Sequence, residues 1–303
     1  MIKLQHVEML LAIEQAGSIR AASKRLGKTQ PAVTKALRQA ETELGAAIFK
    51  RAPSGVAVTE DGKQILRRAG IIQAELRKMQ EEVEQRRGDG TGRLNVTVSP
   101  LAASRIIGGT IRRFRRRFPK VRVQITGGHE PMAFGPVRDG LVDFVIGPEP
   151  READAAGLSV AHLVETPISV IASTASRWAG ETRLEAIAAA DWLMIGTYKR
   201  LPYLQRHFIS RGLPPPDPMV TSDSITSILA MVEDGDFLCT FPGLLIDRVC
   251  AKWRICALDL DESLQASRIA LVTASERPPT PAMQYFADCV LQVARNEIGP
   301  PIP

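Results

Sequence analysis

Apolar residues return every three or four positions from the start of the chain. Leu4, Val7, Leu10, Leu11 and Ile13 keep that spacing, which predicts a helix over 4–16 closed by Gly17. Ser18 is placed to cap a second helix, "IRAASKRLG", in which Ala21 and Ala22 are small enough for close packing and Gly27 fits the end. Thr29 then caps a third. Pro31 falls in its first turn, where the missing N–H had no partner within the helix anyway. Val33, Ala36, Leu37, Ala40 and Leu44 form the apolar side of this helix. The period then changes. "AIFKRAPSGVAVT" alternates around a "PSG" turn, as a small β-hairpin does.

Thr59 caps a long helix reaching about Arg87. In it Ile65, Ala69, Ile72, Leu76, Met79 and Val83 recur at spacings of four and three. That is a coiled-coil seam, and a single apolar stripe on a lone helix must be buried, so a dimer is expected. "RRGDGTGR" reads as a hinge. From Arg93 on, strands and helices alternate. "RLNVTV", "VRVQIT" and "DFVIG" read as strands, with helices over Leu101–Phe118 and Met132–Arg138 between them. After "LVETPISVIAS" a second series follows: "WLMIG", "PMVTS", "FLCTF", "ICALDL" and "SRIALVT", closed by a helix from Pro281 to Arg295. The pattern is α/β twice over.

Charge sharpens this picture. Residues 1–59 hold nine Lys or Arg against four acids, a net of +5 out of +6 for all 303 residues. The stretch 60–92 is balanced. An excess confined to one end suggests a polyanion partner there. Glu8 and Glu14 interrupt the apolar N-terminal segment, unlike a signal peptide, and no apolar run is long enough to span a membrane. A cytosolic location is therefore expected. Cys239, Cys250, Cys256 and Cys289 are far apart, form no CxxC pair and read as reduced, half-buried core residues, with no metal or cofactor implied.

Opposite the apolar side of the third helix lie Gln30, Pro31, Thr34, Lys35 and Arg38. This face contains no acid and is built from side chains that hydrogen-bond base edges or phosphates. Two helices joined by a short glycine-containing turn, the second presenting such a face, describe a helix-turn-helix, with the hairpin as its wing. The run "GSIRAASKRLGKTQPAVTKALRQAETELGAAIFKRAPSGVAVTEDG" resembles the DNA-binding domain of LysR-type transcriptional regulators. The small pair after "GS", "TQPAVTKAL", "ELGAAIF" and "R…G…VT..G" match in order. Lys28-Thr29 stands where the family often has an apolar residue and Ser, and both caps work.

The resemblance implies a winged helix-turn-helix (1–59), a linker and dimerisation helix with hinge (60–92), and an α/β effector-binding domain (93–303) of two lobes, like periplasmic solute-binding proteins. The chain would cross between lobes near Glu165 and Ala266, giving lobe one 93–165 with 266–303 and lobe two 166–265. It implies DNA contacts from Thr29, Gln30, Pro31, Thr34, Lys35, Arg38, Lys50, Arg51 and Ser54, and a homodimer or homotetramer on double-stranded DNA. In open α/β sheets ligands sit beyond the carboxyl ends of strands. Those ends offer Ser99, Pro100, Leu101, Gly127, Gly128, Gly147, Thr197, Ser222 and Ser224. Hydroxyls and free N–H groups there suit a small anion, and this half looks most like regulators that respond to aromatic acids or sulfonates. The run "RRFRRRFPK" (112–120) reads as the solvated face and subunit edge of a helix with Phe114 and Phe118 inward, adding to the long-range neutralisation of DNA, with a second nucleic-acid patch as the alternative.

An α/β enzyme with a helical appendage is the rival class. Against it, His6, His129, His162 and His207 are scattered, with no nucleophile motif, P-loop, GxGxxG or HExxH. A regulator sensing a neutral ligand or oxidation is the other alternative, with Cys239 the cysteine to examine.

Overall fold

The computed structural model describes residues 1–53, 55–88, 90–127, 134–196 and 202–298. They form two compact units, Met1–Glu84 and Gln85–Pro303. Among the described residues no helix is long and apolar enough to cross a membrane.

The first unit contains α1 (Leu4–Ala16), α2 (Ile19–Arg25), α3 (Gln30–Leu44), the antiparallel hairpin β1 (Phe49–Ala52) and β2 (Gly55–Val58), and all but the last two residues of α4 (Glu60–Arg86). The caps are those expected. Ser18 Oγ accepts from Ala21 N at 3.2 Å, Thr29 Oγ1 from Ala32 N at 3.4 Å and Thr59 Oγ1 from Gly62 N at 2.9 Å. Val7, Leu10, Ile13, Ala22, Val33, Leu37 and Ala40 meet in one core that also takes Ile48 and, from α4, Leu66 and Ala69. Two residues assigned to apolar faces are not in it. Leu4 is 53% and Leu44 39% exposed, because they occupy the first and last positions of their helices.

The wing is seated by a close backbone approach. Val56 N donates to Gly17 O at 3.0 Å. Gly55 lies there at φ +135°, and a Cβ on it would stand 2.3 Å from Gly17 O, so only glycine fits.

The seam on α4 divides in two. Ala69 is buried in the first unit's core and Ile65 packs against it, so this part serves the chain's own fold and not a partner. Ile72, Met79 and Val83 are 41%, 58% and 45% exposed, and Leu76 is half-buried.

The second unit is built on a nine-stranded mixed sheet. Its strands are β3 (Gly92–Val98), β4 (Val121–Gly127), β5 (Phe144–Pro148), β6 (Leu158–Ser173), β7 (Asp191–Ile195), β8 (Pro218–Ser222), β9 (Phe237–Pro242), β10 (Ile255–Ala257) and β11 (Leu264–Ala274). The order is β4-β3-β5-β11-β6-β9-β7-β8, with β10 on β6. Helices α5 (Pro100–Arg105), α6 (Ile107–Arg117), α7 (Phe134–Arg138), α8 (Leu184–Ile187), α9 (Pro202–Ile209), α10 (Ile225–Asp234), α11 (Ile246–Cys250) and α12 (Pro281–Ile298) connect and cover it.

Three differences from the sequence reading have local causes. The helix expected over Leu101–Phe118 breaks at Ile106, which is fully buried at φ −107°, and α6 restarts on the poor helix formers Gly108 and Gly109. Only Ile255–Ala257 of "ICALDL" pairs as a strand, against Ile171–Ser173. "LVETPISVIAS" lies inside the 16-residue β6, which pairs β11 along one stretch and β9 along the next. Of the helix expected from Met132, the described part begins at Phe134.

Candidate functional site

The exposed side of α3 follows from how its other side is used. Val33, Leu37 and Ala40 turn into the core. That leaves Gln30, Pro31, Lys35 and Arg38 exposed and Thr34 half-exposed, and these five line one shallow depression of about 600 Å³. Lys35 and Arg38 make no side-chain hydrogen bond or ion pair with the described residues, so both charges are available to a partner. Thr34 Oγ1 donates to Gln30 O at 2.9 Å and keeps its lone pairs free to accept. On β1, Lys50 and Arg51 are exposed as well. Ser54 lies outside the described residues.

Glu41 had no assigned role. Its Oε1 accepts from Ile48 N at 2.8 Å and Phe49 N at 3.3 Å, tying the end of α3 to the first wing strand. No local sequence signal marks this contact, because the donors are seven and eight residues away.

In the second unit, parallel pairing aligns strand ends. β3 pairs β4 as far as Val98↔Gly127 and β5 as far as Val98↔Ile146. Ser99, Gly127 and Gly147 therefore share one edge. Ser99 N donates to Ile146 O at 2.8 Å, and its Oγ accepts from Ala102 N at 3.4 Å, leaving the hydroxyl hydrogen free. Pro100 begins α5. At the other end of the sheet β7 pairs β8 up to Ile195↔Ser222, and Gly196 N donates to Ser222 O at 2.8 Å. Ser222 Oγ accepts from Ser224 N at 3.1 Å. Ser224 Oγ caps α10, accepting from Ser227 N at 3.3 Å and its hydroxyl at 2.9 Å. Gly128 and Thr197 lie outside the described residues. The Leu101 side chain is fully buried in the core, so only its backbone is left to meet a ligand.

The bacterial regulatory helix-turn-helix model of the lysR family matches residues 4–63, and the LysR substrate binding domain model matches residues 87–295. The chain belongs to the LysR family of transcriptional regulators. It is 30% identical over 245 residues to HTH-type transcriptional regulator TdcA of Escherichia coli (strain K12), over 79% of this chain and 77% of that protein. It is 24% identical over 249 residues to HTH-type transcriptional regulator GbpR of Azospirillum brasilense, over 80% and 72%. Its fold is that of CbnR, a LysR family transcriptional regulator, at a TM-score of 0.69 and 19% identity over 97% of this chain and 99% of that one. Full-length OxyR from Pseudomonas aeruginosa shares it at 0.67 and 18%, over 99% and 96%.

This LysR-family chain is thus a DNA-binding transcriptional regulator with an effector-binding domain, and not an enzyme. Two features of that domain escaped the sequence reading. The Thr166 hydroxyl is fully buried where β6 passes from β11 to β9, donating to Pro167 O at 3.2 Å and accepting from Leu244 N at 3.3 Å. Arg248 on α11 donates from Nη1 to Ser104 O on α5 at 3.1 Å. The cysteines differ among themselves: Cys239 and Cys289 are buried, Cys256 is intermediate and Cys250 is exposed. Burial pushes the Cys239 thiol up to about 12, so it stays protonated and unreactive.

Proposed function

We propose that this regulator reads operator DNA with α3 in the major groove and is switched by a small organic acid held at the strand ends of its effector domain. The observation that carries the DNA assignment is the exposed, acid-free face of α3 with the unpaired Lys35 and Arg38. Gln30 and Thr34 supply base-edge hydrogen bonds, and Lys35 and Arg38 contact bases or phosphates. Thr29 and Pro31 set the helix entry. Lys50, Arg51 and Ser54 on the wing meet the flanking backbone. The crystallised complex of full-length CbnR with its target DNA, at a TM-score of 0.68 to this chain, supports the same use of the fold.

The effector would sit against Ser99, Pro100, the Leu101 backbone, Gly127, Gly128 and Gly147 from lobe one, with Thr197, Ser222 and Ser224 from lobe two. Hydroxyls and main-chain N–H groups favour an anion, and an aromatic acid or sulfonate is the finer reading. Residues 1–59, 60–92 and 93–303 act as reading head, linker and sensor, the lobes dividing near Glu165 and Ala266. Two linker helices pair through Ile72, Leu76, Met79 and Val83 in a cytoplasmic homodimer or homotetramer.

Binding to operator and random duplexes tests the reading head. Gln30→Ala is expected to cost about 1–3 kcal/mol on the operator alone, while Lys50→Ala weakens both duplexes alike. Equal losses on both duplexes for Gln30→Ala would remove it from base reading.

A further inference from the structure

Just beyond the effector edge lie two titratable side chains that have no part in the reading above. Glu149 follows Pro148, the last residue of β5, and its N–H donates to Arg268 O at 2.8 Å, continuing the pairing with β11. His162 lies on β6, on the far side of β11. Its Nδ1 is 2.9 Å from Glu149 Oε1, with the two side chains 27% and 26% exposed.

The register explains how this pair forms across an intervening strand. His162 stands opposite Ala270, and Ala270 opposite Gly147. Residues paired in this way share one face of a sheet, so the row runs from an imidazole over a methyl group to bare backbone. Glu149 is two residues beyond Gly147, returns to the same face and fills the space left by Ala270 and Gly147. The row ends at the effector edge: a Cβ on Gly147 would stand 3.3 Å from Ser99 Cβ. Other charges nearby turn elsewhere. Arg268 Nε lies 3.7 Å from Glu165 Oε2. Arg138 of α7, the helix that packs on β5 and β11, donates to the carbonyls of Ala156 and Asp154, and Arg277 donates to the Arg138 carbonyl. Asp139 after α7, and Arg151, Glu152 and Asp154 in the turn after β5, make no ion pair with Glu149 or His162. Among the described residues these two have only each other as ion-pair partners.

With His162 protonated the pair sums to zero. With His162 neutral, the Glu149 carboxylate is uncompensated within two strand spacings, ~10 Å, of Gly147. Imidazole is the side chain whose charge changes in the physiological range. We propose that His162 and Glu149 are a proton switch on the effector site, so that the sensor binds its anion more tightly as the pH falls. The proposal rests on the reading that the anion lies against Ser99 and Gly147. A proton on His162 cancels the repulsion from Glu149, and by reciprocity a bound anion favours that proton. Affinity is therefore highest below the imidazole titration and falls as pH rises through it. One unit charge at ~10 Å in a surface-like dielectric, partly screened by salt, changes binding by roughly three- to tenfold.

The probe is benzenesulfonate, which stays ionised throughout, titrated calorimetrically into the full-length protein at pH 5.5 and 8.5. The parent should bind roughly three- to tenfold more tightly at the lower pH. Glu149→Gln should bind tightly at both pH values and His162→Gln weakly at both, opposite effects that loss of a merely structural contact would not give. Parental titrations near pH 7 in buffers of different ionisation enthalpy should show net proton uptake on binding, a result that needs no variant to fold. Absence of uptake, or the parental pH ratio in His162→Gln, overturns the switch and leaves the anion site standing. Ser99→Ala should weaken binding at both pH values and keep the ratio. If Ser99→Ala binds as the parent does, or if benzenesulfonate binds at neither pH, the site itself is refuted and the switch falls with it.

Discussion

Removing the Glu41 carboxylate tests whether the reading head depends on the contact between α3 and the wing. Oε1 accepts two main-chain N–H groups, one of them from Ile48, which is fully buried. A hydrogen bond to a charged acceptor contributes about 1.5–3 kcal/mol, and a buried N–H left alone forfeits its solvation as well. The second bond is long and adds less. Glu41→Ala is therefore expected to destabilise the first unit by about 2–4 kcal/mol. Glu41→Gln keeps a neutral acceptor at the same atom and should lose about half as much. The three tryptophans and three tyrosines all lie beyond residue 177, so intrinsic fluorescence reports the second unit alone. Amide hydrogen exchange reports α1–α3 separately. The expected result is faster exchange of the Ile48 and Phe49 amides and of the α1–α3 amides, with an unchanged fluorescence transition. If Glu41→Ala leaves exchange in α1–α3 within about 0.5 kcal/mol of the parent, the carboxylate does not hold the wing and the reasoning is refuted.

Glutamate at both Ile72 and Leu76 places charge on the exposed part of the α4 stripe, and sedimentation should show loss of the oligomer; an unchanged species would mean the stripe pairs with nothing. Ser99→Ala removes a long cap bond, so it should cost under about 1 kcal/mol of effector-domain stability. It should nevertheless abolish the thermal shift produced by whichever organic acid a screen identifies, and parental affinity for that acid would take the strand ends out of the site. Alkylation of the native protein at pH 8 should label Cys250 and spare Cys239, whose thiol is held at about 12; rapid modification of Cys239 would reopen oxidation as the signal.

What the sequence made legible was local. Caps at Ser18, Thr29 and Thr59 act across three residues, and the apolar periods of α1, α3 and the parallel strands need no knowledge of their neighbours. Where an element depends on partners, the pattern was silent. "LVETPISVIAS" marked only where the second series begins, yet it lies inside a 16-residue β6, which β11 supports along one part and β9 along the other. The α4 stripe has one period throughout, but its first members are absorbed by the core of the reading head, which spacing cannot reveal. The exposed faces of α3 and α6 were readable as charge. The hydroxyl of Thr166 was not, since its acceptor and donor come together only when β6 meets the Leu244 turn.

The acid-free face of α3 is not the result of a helix without acids. Glu41 and Glu43 both sit in its last turn, where a carboxylate opposes the helix dipole. Each is compensated by donors. Glu41 takes the Ile48 and Phe49 amides. Glu43 accepts from Gln39 Nε2 at 3.0 Å and lies 3.5 Å from the Met1 amino group, and these contacts hold its carboxyl below the usual range. Both acids thus work on the side that builds the domain. Lys35 and Arg38, nearer the helix start, are left without a counter-charge, and the positive end of the dipole lies behind Gln30 and Pro31. Charge is sorted along α3 rather than merely left out of it. A phosphate backbone approaching from the N-terminal side therefore meets two free cations and the helix dipole together, while the carboxylates are held at the far end by main-chain, side-chain and terminal donors.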